Sequence, residues 1–429
     1  MNLKEAVLCL LVLLAPLHAH ATTYYVSNQG NDTWSGTSQS QPWQSIDRVN
    51  KQSLHAGDQV LFEGEQTFVG SLLLLNKSGT MTNPVVISSY GTGPAWISSG
   101  TGVGLFGYNV SGVTVKNLSF VGDGIANTTS GVVLYTDAIT GAEGITLTSL
   151  SVRGYGKNGV EIGSGGTHAG YRHVDLEAIE ADNNRSGVMV YAQYPNAHAD
   201  VFIDRATTSH NRLAGVVLGG IAGGAIQFSQ ASNNASGIIV SNSTQIVIHN
   251  CVVHHNHAVA GGSGVGIALG QNVSLSTVQY SNTYQNDGPG YLLTNPFLDD
   301  NHTDNELLGN VSTNDSRKGP YGAIQTWGRV RNVVILGNII YASPGSSSGT
   351  AALTLANWGI PSHCIDNMIV RRNVFQSTSH LLIVMDDILR CSTRLQFKEN
   401  TFEGNPFSIL WGSTEYTTLA AWMAATGQN

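Results

Sequence analysis

Along most of this 429-residue chain, apolar and polar positions alternate in short bursts, each opened by a glycine. Gly131-Val-Val-Leu134, Gly159-Val-Glu-Ile162, Gly187-Val-Met-Val190, Gly215-Val-Val-Leu218, Gly237-Ile-Ile-Val240, Gly264-Val-Gly-Ile267 and Gly290-Tyr-Leu-Leu293 form one series. Their intervals are 28, 28, 28, 22, 27 and 26 residues, and Gly322-Ala-Ile-Gln325 follows after 32. Alternation with a period of two, rich in β-branched side chains, predicts short strands with one face buried. A second strand follows each of these after about a dozen residues, as in Ile145-Thr-Leu147, Val174-Asp-Leu176, Val201-Phe-Ile203, Ile246-Val-Ile248, Val333-Val-Ile335 and Met368-Ile-Val370. Gly, Asn and Ser turns separate them, with no helix-length segment between. Leucine-rich repeats and propellers have other signatures. The pattern therefore predicts an all-β solenoid, a parallel β-helix whose coils stack ~4.8 Å apart.

Asn250, Asn282, Asn310, Asn338, Asn373 and Asn400 each follow a second strand. They predict a column of amides hydrogen-bonded from coil to coil. A second column is expected at Asn183, Asn211, Asn233, Asn256, Asn286 and Asn314. The open ends of such a stack need covers. Short amphipathic capping helices are expected within 42–54, with Ile46, Val49 and Leu54 on one side, and within 417–425, with Leu419 and Trp422. The expected domain division is a cap with the first coils over 22–100, regular coils over 101–412, and a C-terminal cap over 413–429. Residues 1–21 read as a signal peptide: Lys4 precedes an apolar run from Ala6 to Leu17, and Ala19-His20-Ala21 gives a cleavage pattern. That run is too short to cross a bilayer. The expectation is a secreted or periplasmic monomer with no membrane span.

Composition narrows the classes further. Charged residues make up 11% of the chain, against ~25% in an average domain, which excludes a coiled coil. Twenty basic and 28 acidic residues give a net charge of −8 without any Lys/Arg block, so a nucleic-acid partner is not expected. Beyond the leader lie Cys251, Cys364 and Cys391. Cys364 and Cys391 are 27 residues apart, about one coil, and both a bridge and two free thiols stay open. Cys251 reads as a buried free thiol in an apolar strand. The chain has no C-x-x-C pair, so zinc and redox motifs have no support.

Tyr24-Tyr-Val-Ser-Asn-Gln-Gly-Asn-Asp32 with Pro42-Trp43, Gly57-Asp-Gln-Val-Leu-Phe62, Ile87-Ser-Ser-Tyr-Gly91, Asn286-Asp-Gly-Pro-Gly-Tyr-Leu-Leu293, Asn314-Asp-Ser-Arg-Lys318 and the Leu419-Ala-Ala-Trp422 ending share one likeness. Together they resemble bacterial secreted right-handed parallel β-helix proteins of the pectin-lyase-like superfamily. The resemblance implies a right-handed, single-stranded β-helix and a polysaccharide partner. That superfamily contains polysaccharide lyases, glycoside hydrolases, epimerases, tailspike depolymerases and members without assigned activity. Where such proteins carry an acidic Asp-Gly-Asp-Gly-Phe-Asp stretch, this chain has Gly261-Gly-Ser-Gly-Val-Gly-Ile-Ala-Leu269, with no carboxylate. The paired-Asp and Gly-His-Gly signatures of polygalacturonases and the Asp-Pro-His motif of alginate epimerases are also missing.

Outward positions of the glycine-led strands should form a long face. The alternation places Val133, Glu161, Met189, Val217, Ile239 and Gly266 there, followed by Tyr135, Tyr191 and Ser241, with Trp327 and Asp386 further along. Glu161, Tyr191, Trp327 and Asp386 are the candidate substrate contacts, the aromatics for stacking on sugar rings. Asp287 and Asp315 are the candidate catalytic pair, 28 residues apart in two Asn-Asp turns. One coil of rise would put their carboxyls roughly 5 Å apart, the spacing of a retaining glycosidase. Ordinary turn chemistry accounts for the same residues. Arg317 and Lys318 follow in the second turn and would supply the cation that a uronate lyase needs. Asp299, Asp300 and Asp304 crowd one oxygen-rich loop, which makes calcium the one cofactor considered. His254, His255 and His257 should scatter to different sides rather than hold a metal. The leading expectation is hydrolysis of a polysaccharide by a carboxylate pair. A uronate lyase and a non-catalytic glycan-binding or surface-structural β-helix are the alternatives.

Overall fold

The computed structural model describes residues 21–428 apart from 76, 139–140, 168, 260–261, 297–300, 344–348, 357–363, 379–380 and 386–391. The strands stack coil upon coil into two sheets. One strand per coil builds a 14-stranded sheet, from Leu72–Leu75 to Thr414–Tyr416, and the rest build a sheet of 24 strands. Pairings between neighbouring coils are parallel until Thr414–Tyr416 turns back antiparallel on Ile409–Trp411. This is the parallel β-helix that the periodicity predicts.

The glycine series forms the short sheet, through Val132–Thr136, Asn158–Ser164, Ser186–Ala192, Ala214–Gly219, Ile238–Ser241, Ile267–Leu269 and Tyr291–Asn295. Glycine is required by close approach. A Cβ on Gly159 would lie 2.7 Å from the Gly187 carbonyl oxygen, and one on Gly187 would lie 2.6 Å from that of Gly215. The series needs two corrections. Ile238 pairs with Ile267, so the glycine of that coil is Gly266 rather than Gly264, and Ala268 replaces Gly266 on the outer face. Tyr291 pairs with Ile324, so Ala323 stands where Gly322 was expected. Inward residues such as Val160, Ile162, Val188 and Val190 are fully buried, each worth roughly 1.5–3 kcal/mol in removed apolar surface.

The long sheet bends at a column of left-handed residues: Asn117, Ser149, Ala178, Arg205, Phe228, Asn250 and Tyr280, with φ between 49° and 53°. Asn250 therefore belongs to this outward bend, and Asn282 is an exposed strand residue. The interior column beside the bend carries Ser281, Asn310, Asn338, Asn373 and Asn400. The Asn310 N–H donates to Asn338 Oδ1 (2.8 Å), Asn338 to Asn373 (2.9 Å) and Asn373 to Asn400 (3.0 Å).

The second column is also shifted by one residue from expectation at several coils. Asn184, Asn211, Asn234, Asn256 and Asn286 form it, each backbone N–H donating to the next side-chain oxygen at 2.9–3.0 Å, and Asp315 ends it. Asn183, Asn233 and Asn314 precede the column members as left-handed turn residues, with φ of 55°, 56° and 55°.

Both ends are closed by helices shorter than or offset from the expected spans. Ile46–Lys51 is capped by the Ser45 side chain and buries Ile46 and Val49. Leu419–Thr426 starts at Thr418 and stops at Gly427, whose φ of 68° suits glycine. Trp422 is buried edge-on against Phe397 and Trp411, with ring centroids 5.7 and 5.5 Å away. No helix among the described residues is long and apolar enough to cross a membrane.

Candidate functional site

Strand parity and coil register together build the outer face of the short sheet. Phe106, Val133, Glu161, Met189 and Val217 stand in one outward column. Tyr108, Tyr135, Gly163, Tyr191 and Gly219 stand in the next. Glu161 is thus a single carboxylate set in an otherwise apolar row. Its Oε2 accepts from Ser130 Oγ (2.5 Å) and Asn158 Nδ2 (3.0 Å), and its Oε1 faces the Tyr191 hydroxyl at 3.3 Å. Burial, and then the adjacent Glu161 charge, push the Tyr191 phenol up to about 12. The hydroxyl therefore stays protonated at neutral pH and donates.

Tyr191 is held from above and behind. Its ring lies across Gly163, where a Cβ would come within 2.8 Å of the ring. Its carbonyl oxygen accepts from His198 Nε2 at 2.8 Å, because His198 Nδ1 is already taken by the Tyr171 N–H at 2.9 Å. Burial pulls His198 down to about 4 and keeps it neutral. Two and three coils away, Tyr135 and Tyr108 stack with centroids 6.3 Å apart, and the Tyr108 hydroxyl donates to Asp137 at 2.6 Å. Trp327 occupies the same outward column as Tyr191, five coils further, or about 24 Å along the stack. Strand alternation alone points to Glu161, Tyr191 and Trp327. Ser130 reaches Glu161 from the neighbouring coil, Asn158 and Gly163 lie on the Glu161 strand, and His198 follows Tyr191 by seven residues; nothing in local sequence marks them.

The expected carboxylate pair is not formed. In register, Asp315 is the equivalent of Asn286, so Asp287 and Asp315 stand in different columns. Asp315 is buried inside the corner. Its Oδ1 accepts from the Asn286 N–H and Nδ2, and its Oδ2 from the Thr283 and Ser312 hydroxyls, both at 2.6 Å. Burial pushes its carboxyl up to about 6. A group so enclosed reaches no substrate; it terminates the amide ladder. Asp287 is also buried, but it pairs with half-exposed Lys318 (Nζ to Oδ2, 2.8 Å), accepts from the Ala258 N–H (3.1 Å) and lies 3.5 Å from His257 Nδ1. Arg317 shares that turn, its N–H donating to the Asn286 carbonyl oxygen.

Other candidates fall elsewhere. Asp386, Asp299, Asp300 and Cys391 lie outside the described residues. Cys364 is disulfide-bonded, and Cys251 is a buried free thiol. Asp304 is exposed, and its carboxylate accepts from the Thr303 hydroxyl. His254 and His255 touch each other (2.8 Å), away from His257. Among the described residues no three His, Cys, Asp or Glu side chains are placed to hold a metal ion.

A family model described as "Right handed beta helix region" matches residues 130–295, the stretch that carries Glu161 and Tyr191. The chain folds as a right-handed parallel β-helix. Among solved structures it is similar to the GH136 lacto-N-biosidase of Eubacterium ramulus, at 15% identity and a TM-score of 0.50, over 89% of this chain and 68% of that one. It is also similar to the A-module of a mannuronan C-5 epimerase from Azotobacter vinelandii, at 16% identity and a TM-score of 0.51, over 83% and 90%. A curated relative, the lacto-N-biosidase of Bifidobacterium longum subsp. longum, is 40% identical over 74 residues, which is 16% of this chain and 5% of that protein's length.

Proposed function

We propose that this protein is a carbohydrate-active β-helix that lays a glycan along the outer face of the short sheet and cleaves it beside Glu161 and Tyr191. The observation that carries the reading is a protonated phenol 3.3 Å from a carboxylate fixed by Ser130 and Asn158, within a row of aromatic and apolar side chains. Aromatic rings in such a row offer platforms for sugar rings. The similar enzymes, lacto-N-biosidases and a mannuronan epimerase by name, support a carbohydrate substrate.

Tyr191 is suited to give a proton to a leaving oxygen and Glu161 to take one. Standing so close together, both serve the same side of a sugar ring. Hydrolysis through two carboxyls needs them ~5–5.5 Å or ~6.5–9.5 Å apart. Asp137, a carboxylate at the far end of the neighbouring strand, lies four residues beyond the strand partner of Glu161, about 13 Å along the strand. The pair therefore fits elimination better. Glu161 removes the proton on the carbon next to the sugar's carboxyl, the carbon–oxygen bond breaks as a double bond forms, and Tyr191 protonates the departing oxygen. The proton on Glu161 then returns to Tyr191 across their hydrogen bond. Hydrolysis is the second reading, favoured by the sequence match to a lacto-N-biosidase. Half-exposed Lys318, held by the buried Asp287 carboxylate, is proposed as a further glycan contact, and calcium as an addition to test. The basic and apolar run from Lys4 to Leu17 supports action outside the cytoplasm, in periplasm or medium.

The test is incubation with plant, algal and bacterial polysaccharides, with and without calcium, following reducing ends together with ultraviolet absorbance of unsaturated sugars. Both signals are expected. Reducing ends alone would select hydrolysis, and binding without either signal would select the non-catalytic alternative. Glu161→Gln should lower turnover about 100-fold or more with unchanged thermal unfolding; turnover at the wild-type rate would refute the assignment.

A further inference from the structure

Three cations gather at one edge of the same face, with no acidic partner among the described residues. The Lys157 N–H donates to the Thr129 carbonyl oxygen (3.0 Å), Arg185 to that of Lys157 (2.7 Å) and Leu213 to that of Arg185 (2.6 Å), so these residues share a column on successive coils. Arg212, beside Leu213, folds back over two coils, and its Nη2 donates to the Gly156 carbonyl oxygen at 2.9 Å. That bond sets its guanidinium on the backbone one residue before Lys157. All three side chains are exposed. Among the described residues no carboxylate forms an ion pair with any of them, whereas Arg205, Arg371, Arg372 and Arg394 all do.

Their position relative to the site is fixed by covalent neighbours. Asn158, which donates to the Glu161 carboxylate, directly follows Lys157. The strip therefore lies at the starting end of the strands, next to the Asn158 that holds Glu161 and six residues, about 20 Å along the strand, before Tyr191. Coil spacing alone sets neighbouring members ~5 Å apart, where like charges repel. A protein with a net charge of −8 has ample acid elsewhere, yet none is spent here. Guanidinium forks bind carboxylate and sulfate oxygens in pairs, which an ammonium alone does not.

We infer that Lys157, Arg185 and Arg212 form a subsite for an anionic group on the glycan, a carboxylate or a sulfate ester, on the Glu161 side of the site at the starting end of the strands. The inference rests on the reading that a glycan lies on this face, and it assigns the residues that hold the substrate's charge. The strip fixes specificity and orients the chain; proton transfer stays with Glu161 and Tyr191.

Calorimetric binding of three oligosaccharides of matched length decides the matter: oligogalacturonate, carrageenan fragments and neutral galactan. At least one anionic sugar should bind about tenfold or more tightly than galactan, with affinity falling as salt rises. Whichever is preferred, carboxylated or sulfated, names the anion. Lys157→Ala combined with Arg185→Ala should remove that advantage and leave galactan binding unchanged. Arg185→Lys should restore part of it, since charge returns without the fork. If the two anionic sugars and galactan bind equally, or the double variant keeps the advantage, the anionic subsite is wrong while the glycan face stands. If none of the three binds the wild-type protein, both readings fall.

Discussion

Glu161 on the outer face of the short sheet and Asp315 at the interior corner are held by the same kinds of donor. Each accepts from a serine hydroxyl and an asparagine amide, and each has a second hydroxyl close by, from Tyr191 and Thr283 respectively. What separates them is access. Glu161 is half-buried and keeps Oε1 toward a phenol on the open face. Asp315 is about 1% exposed, with both oxygens filled from within. The donors around a carboxylate fix its position and bias its charge, but the side from which they come decides whether it serves the fold or a substrate.

The sharpest way to break this comparison is to remove the interior carboxylate. Asp315→Ala strands two hydroxyls and two N–H groups in a closed corner and should cost on the order of 4 kcal/mol, read as a lowered urea midpoint. Asp315→Asn repeats the residue used in the coils below and should cost far less. An equal loss for both would show that the charge, rather than the ladder, matters.

The next effect is on pH dependence. Asp315 titrates near 6 when folded and near 3.8 when free, so it binds its proton more tightly in the native state. Its contribution is full below about pH 4 and is lost as pH rises through about 6, on the order of 3 kcal/mol in all. His198 has the opposite sign. Burial lowers it to about 4 from 6.5, so its contribution is full above about pH 6.5 and is lost as pH falls toward 4. The two slopes oppose each other in the wild type. Asp315→Asn should leave that of His198, and the variant should gain on the wild type in melting temperature from pH 4.5 to about 7. A constant difference would contradict the buried titration.

On the open face the effects belong to turnover rather than stability. Tyr191→Phe should lower kcat about 100-fold with little change in KM or unfolding; a changed KM alone would make Tyr191 a platform rather than a proton donor. Smaller still is Gly163→Ala. Its new methyl would meet the Tyr191 ring at 2.8 Å and should cost about tenfold in kcat by tilting that ring. If Gly163→Ala is silent, Tyr191 is held by His198 and Glu161 without help from the glycine gap.

Sequence by itself determined the repeat, the strand type, the solenoid and which side of each strand faces out. Those follow from side-chain parity and turn chemistry, which are local properties of the chain. Glu161, Tyr191 and Trp327 were legible on the outer face for that reason. Tertiary structure decided the register between coils. The glycine spacings run from 22 to 32 residues, because turns vary in length, so a fixed count of residues does not equal one step up the stack. A slip of one residue separates Asn183 from Asn184, and the same slip moves Asp315 out of the column of Asp287 and into the amide ladder. Ser130, Glu161 and Tyr191 come together from neighbouring coils for the same reason: Ser130 is 31 and Tyr191 30 residues from Glu161, and the cations at 157, 185 and 212 share one edge only when the coils stack. Backbone hydrogen bonds between coils, satisfied in a closed core where an unpaired amide is costly, set that register.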